Sequence, residues 1–189
     1  MKIFLAGDWR FDIYEQALSD ALASLGHEIH AFRWHTYFDA EEASTIGRMA
    51  RRLQQRLRDG PLVRRMNADL VEQAVEWGAE AVFVFRGDMV RPQTYGLLKR
   101  HLPATVWAGY NNDNPFSSMH PRHRFRHFVA SLKELDLAFA YRPKNVVDFE
   151  QAGAPRAVLL PPWYIPEMDR PFDLSDDDLG KWPRHNGSN

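Results

Sequence analysis

Five consecutive apolar residues, Ala81-Val82-Phe83-Val84-Phe85, lie between Gly78 and the polar turn Arg86-Gly87-Asp88. A run this short is too brief for a buried helix, and it is too uniformly apolar for a strand with one wet face. It fits a strand of a parallel sheet covered by helices on both sides. Similar runs recur over residues 2–6, 28–34, 105–110, 137–141 and 157–160, with helix-length segments between them. Asp12 opens the first helix, which places Ala17, Leu18, Ala21, Leu22 and Leu25 on one face and stops at Gly26. A helical block over 41–77 is interrupted at Gly60-Pro61. Pro92 and Pro143 suit the first turns of two later helices, and another is expected over 123–134. Strands alternating with helices predict right-handed βαβ units in an α/β fold, a doubly wound, Rossmann-like parallel sheet of about six strands. The most apolar runs belong at its centre. Strands 2–6 and 81–85 are therefore expected side by side, with 28–34 outside 2–6.

The length of 189 residues suits one domain over 1–172, followed over 173–189 by a polar tail or the start of a second domain. Lys and Arg (24) nearly balance Asp and Glu (25), so no bulk attraction to nucleic acid is expected. Without cysteine there is no disulfide and no thiolate metal site. The apolar run after Lys2 is too short for the core of a signal peptide, and no stretch approaches the ~20 apolar residues of a membrane span. A cytoplasmic protein is expected.

In an open α/β sheet, ligands bind outside the carboxyl ends of the strands. Three strand ends here deliver polar groups: Gly7-Asp8-Trp9, Arg86-Gly87-Asp88 and Asn111-Asn112-Asp113-Asn114-Pro115. The first occupies the position of a phosphate loop, yet Gly7 stands alone and Asp8 repels an anion. Asp8 instead orders the turn, accepts from a sugar hydroxyl or orients Arg86. Arg86 and Asp88 either line a ligand or pair with each other. Asx residues build turns through their own backbone bonds, but four polar residues in a row exceed what a turn needs, which points to Asp113 as a site residue. His123 and His127 have an i, i+4 spacing seen in zinc sites. Arg122, Arg124 and Arg126 oppose a cation there, so an anionic ligand or water is expected and no metal. Seven arginines between Arg48 and Arg65 face one acidic residue, Asp59. They read as a solvated helix face or as an attraction to an anionic membrane surface. No aromatic residue interleaves with them as nucleic-acid binding would need.

The start Lys2-Ile3-Phe4-Leu5-Ala6-Gly7 and the turn Leu25-Gly26-His27-Glu28 resemble the amino-terminal half of GT-B glycosyltransferases. Asn112-Asp113-Asn114-Pro115, the strand over 136–141 and the closing Gly153-Ala154-Pro155 and Leu159-Leu160-Pro161-Pro162-Trp163 narrow the resemblance to the CgeB-type, spore-maturation-like glycosyltransferases. The similarity covers roughly residues 1–172. It implies two facing Rossmann-like domains. The first receives a sugar or glycan acceptor, and the second holds a nucleotide sugar, a co-substrate and not a tightly bound cofactor. The chain ends about where that second domain would begin. The expectation is an acceptor-side domain, inactive alone, that meets a carboxy-terminal domain or self-associates through the carboxyl edge of its sheet. Asp113 is then the candidate base or hydroxyl ligand. Gly7, Asp8, Trp9, Arg86, Asp88, Asn111 and Asn112 line the acceptor cleft, and Arg142 faces a phosphate or the partner domain. Trp9, Tyr110, Phe116, Trp163 and Tyr164 are expected in loops near that edge, to stack on sugars, to pack against the other domain or to fold back on the core. The alternative is a non-catalytic sugar- or nucleotide-binding or regulatory module on a flavodoxin-like sheet. Receiver domains of that shape need an acidic pair after the first strand and an aspartate after the third, where this chain has Asp8 alone and Arg86.

Overall fold

Short apolar strands satisfy their backbone groups only by lying side by side, and helical returns force them to run parallel. The computed structural model describes residues 1–39, 44–121 and 123–165; the tail over 173–189 lies outside these. The elements are β1 (Lys2–Gly7), α1 (Ala17–Ser24), β2 (Glu28–Arg33), α2 (Thr45–Leu57), α3 (Pro61–Trp77), β3 (Ala81–Phe85), α4 (Pro92–His101), β4 (Val106–Asn111), α5 (Arg126–Ser131), β5 (Leu137–Ala140), α6 (Pro143–Gln151) and β6 (Ala157–Leu159). The six strands form one parallel sheet in the order β2-β1-β3-β4-β5-β6. This is the expected Rossmann-like arrangement, with β1 and β3 adjacent in the register Leu5 to Phe83. The strand order reverses between β1 and β3, which opens a crevice at their carboxyl ends.

The pleat sorts the core. Phe4, Ala6, Val82, Val84, Trp107, Ala138 and Ala140 are buried on one face against Met66 and Leu70 of α3, Tyr95 and Leu98 of α4, Phe128 of α5 and Phe149 of α6. The β1–β2 connection runs the opposite way along the sheet. Right-handed crossover therefore puts α1 on the other face, where it packs beside β2. That face is thinly covered. Phe83 and Phe139 are half-buried and stack on each other at 5.9 Å. No residue of α1 is fully buried, and Leu25 is 73% exposed. The expected cover of 81–85 on both sides is complete on the first face and uneven on the second, where Phe85 is buried while Ala81 and Phe83 are half-buried.

Two helix starts differ from expectation. Asp12 does not cap. Residues Asp12–Gln16 form one wide π-type turn that runs into α1 with no side-chain capping bond. The turn buries Glu15, whose carboxylate accepts from the Asp8 N–H at 2.8 Å. α5 begins only at Arg126, so His123 lies outside the helix and the i, i+4 histidine pair does not form. No described helix is long and apolar enough to cross a membrane.

One buried side chain fixes the β3–α4 loop. Asn67 of α3 donates to the carbonyls of Val63 (2.7 Å) and Met89 (3.0 Å). Its oxygen accepts from the Arg91 N–H (2.8 Å) and the Thr94 hydroxyl (2.6 Å). Asn67 therefore acts as a buried four-bond clamp, and removing it strands groups that water cannot reach. Asn67→Leu is expected to cost roughly 2–4 kcal/mol by urea denaturation, a loss out of proportion to the nearly unchanged side-chain volume.

Candidate functional site

The site is built on the carboxyl ends of β1, β3 and β4. After β3 the chain turns through two left-handed residues, Arg86 (φ 66°) and Gly87 (φ 63°). Glycine adopts this conformation freely, but arginine there costs about 1 kcal/mol and must be held. The Arg86 N–H donates to the Tyr110 carbonyl at 2.6 Å, and the Asn111 amide donates to the Arg86 carbonyl at 3.0 Å. So held, the guanidinium reaches Oδ2 of Asp113 at 2.8 Å. Arg124 reaches the same oxygen at 3.4 Å. Oδ1 has no partner among the described residues.

The four polar residues after β4 divide their work. Asn111 is fully buried, and its side-chain Oδ1 accepts from the Asp113 N–H at 2.9 Å. It positions both Arg86 and Asp113 without facing the cleft. Asn114 builds the turn, accepting from the Phe116 N–H and from Asn145. Asn112 and Asp113 line the cleft itself.

Asp88 does not pair with Arg86. It is buried against Arg58, at the end of α2, with a separation of 2.8 Å. Asp8 lies 3.6 Å from Arg10, and its carbonyl accepts from His35 Nδ1. Burial pushes the Asp8 carboxyl above its ordinary range. Gly7 serves packing more than recognition: a Cβ there would sit 2.4–2.9 Å from the Glu15 side chain. Trp9 takes a left-handed φ of 60°, and the Arg33 guanidinium covers its ring at 4.6 Å.

Two cavities flank Asp113. The first, of about 160 Å³, is lined by Asp8, Arg58, Arg86, Asp88 and Arg124 together with Trp34. It brings together the ends of β1 and β3. The Nε groups of three of its arginines, Arg58, Arg86 and Arg124, are buried and have no hydrogen-bond partner among the described residues. The second, of about 320 Å³, has walls of Tyr14, Tyr110, Tyr141 and Trp163. Asn112, Asp113 and Arg142 supply its polar groups. Asp113 thus stands in the wall of one cavity while its two guanidinium partners line the other. Arg142 donates to the Asn112 carbonyl at 3.2 Å and lies over the Tyr141 ring.

The expected aromatics part company. Tyr110 sits within β4, not in a loop, and is buried. Trp163 folds back onto Tyr110 and Phe85, donating its indole N–H to the Ile13 carbonyl at 2.7 Å. Phe116 and Tyr164 are exposed, by 41% and 70%. Among the described residues no group of three or more His, Asp or Glu side chains stands ready for a metal. His127 instead donates to the Arg58 carbonyl at 2.7 Å, and burial lowers its pKa.

Glu15, Arg58, Tyr14 and Tyr141 carry no motif, and sequence reasoning missed them. Burial raises the Glu15 carboxyl above its ordinary value of 4.5, with the nearby Asp8 charge adding to the shift. The folded chain then holds this proton more tightly than the unfolded chain. The stability it contributes is complete below pH 4.5 and is lost as pH rises through the folded value. Glu15→Gln keeps the oxygen that accepts from Asp8 and removes the buried charge. Melting followed by circular dichroism should show a Tm at pH 7 equal to or above the parent's, and a flatter Tm profile between pH 4.5 and neutrality. No protein-family model matches this chain and no curated protein is similar to it in sequence, which leaves the chemistry of the cleft to speak for its function.

Proposed function

We propose that this chain is the acceptor-side domain of a nucleotide-sugar-dependent glycosyltransferase of the CgeB type. The observation that carries the reading is the 320 Å³ cavity at the carboxyl edge of the sheet. Sugars present apolar C–H faces and a rim of hydroxyls, and this cavity offers aromatic walls with Asn112, Asp113 and Arg142 among them. Its volume lies at the lower end of the ~300–1,000 Å³ range of small-molecule sites.

On this reading an acceptor hydroxyl donates to Oδ1 of Asp113. As the acceptor's hydroxyl oxygen bonds to the anomeric carbon of the donor, its proton passes to the Asp113 carboxylate and the nucleoside diphosphate departs with the electrons of the broken C–O bond. Arg86 and Arg124 fix the carboxylate from its other oxygen and so keep Oδ1 aimed. Asn111 sets the height of the loop. The nucleotide sugar is held by a second, facing domain, with Arg142 at the rim where its phosphates would approach.

The test is ligand binding by the purified chain. Free sugars should raise its Tm and alter tryptophan emission through Trp163, whereas nucleotide sugars alone should not be turned over. Asp113→Asn preserves shape but removes the charged acceptor, and should weaken sugar binding at least ten-fold, equivalent to about 1.5 kcal/mol or more. A chain that binds free nucleotides and ignores sugars would replace this reading with the nucleotide-binding module.

A further inference from the structure

Helix α2 is inside out. Amphipathic surface helices normally turn their apolar stripe to the core. In α2, Ile46, Met49, Leu53 and Leu57 recur at helical spacing on one face, and all four point away from the body, exposed by 81%, 65%, 56% and 46%. Together with Ala50, three of them line a shallow surface hollow. The polar side faces inward instead. Arg51 donates to the Tyr37 carbonyl, Gln54 accepts from the Leu62 N–H at 2.8 Å, and Arg58 pairs with Asp88. Both ends are fixed, by the Ser44 cap on the Gly47 N–H at 3.2 Å and by left-handed Arg58 (φ 55°). The inversion is therefore anchored by specific bonds.

Beside the apolar stripe runs a row of arginines, Arg48, Arg52 and Arg56, at i, i+4 and i+8. None of them makes an ion pair with a described residue. We propose that α2 docks this protein on an anionic lipid surface. The helix lies in the plane of the interface, with Ile46, Met49 and Leu53 at the acyl boundary and the arginines among the headgroup phosphates. At 13 residues the helix is ~20 Å long, so it lies on a bilayer and does not span one. Charge selects this occupant. A second copy docked about a two-fold axis would bring two rows of unpaired arginines together. A nucleic acid finds no aromatic ring on the stripe for a base to stack on. An anionic bilayer supplies both the apolar layer and the countercharge.

The test is co-flotation of the purified chain with vesicles. One set is phosphatidylcholine alone, and the other is roughly seven parts phosphatidylcholine to three parts phosphatidylglycerol. The chain should float with the anionic vesicles, float far less with the neutral ones, and be released as salt rises to about 0.5 M. Two double variants separate the contributions, and both change exposed side chains, so their melting curves should match the parent's. Met49→Glu with Leu53→Glu should abolish flotation. Arg52→Glu with Arg56→Glu should lower partition to anionic vesicles at least ten-fold, since each arginine near a charged bilayer is worth about five-fold. Three results would each overturn the proposal. They are absence of flotation, equal flotation of the parent and both variants, and a concentration-dependent dimer by light scattering that the Met49/Leu53 variant abolishes.

Discussion

The carboxylate of Asp113 is shared by two guanidiniums, and the carboxyl edge of the sheet is organised around that sharing. Arg86 arrives from β3 and Arg124 from the segment before α5, and both meet one oxygen. Such a partly buried triad is only as good as its geometry, because desolvation opposes the attraction. The geometry is supplied from below. Asn111, sealed in the sheet, bonds the Arg86 carbonyl and the Asp113 N–H at once. Strands β3 and β4 therefore carry the two charges in fixed register, and the left-handed turn at Arg86 is the local strain this requires.

A parallel sheet makes such a cluster possible by gathering the ends of strands that are far apart in sequence. Asp8, Arg86 and Asp113 come from β1, β3 and β4, which the strand order places next to one another. Arg86 bridges the other two: it pairs with Asp113 and shares a cavity with Asp8. The three guanidiniums of that cavity keep unsatisfied Nε groups, although Asp88 and Asp113 already neutralise much of their charge. Buried donors without acceptors are rare in folded proteins.

Much of the sheet was legible because strand runs such as Ala81–Phe85 admit few other readings, and the most apolar runs take its centre. That Arg86 meets Asp113 and shares a cavity with Asp8 followed from the same rule about strand ends, but Asp8 and Asp113 line different cavities. Partner choice was not legible. Arg86 and Asp88 are two residues apart, yet the left-handed backbone between them sends their side chains to different partners, Asp113 and Arg58. Glu15 was hidden for a related reason. A glutamate in a helix-like segment reads as solvated, and only the gap left by the missing Cβ of Gly7 lets it enter the core. In α2 the amphipathic period is plain in the sequence, but a period does not say which side faces the body. That was decided by three polar contacts from Arg51, Gln54 and Arg58, none of which has a local signature.

Arg58 ties these features together. It ends α2 in a left-handed turn, pairs with Asp88 at the close of β3, and its carbonyl accepts from His127 of α5. Its guanidinium also lines the cavity that contains Arg86 and Arg124. A surface helix and a buried charge cluster thus share one residue.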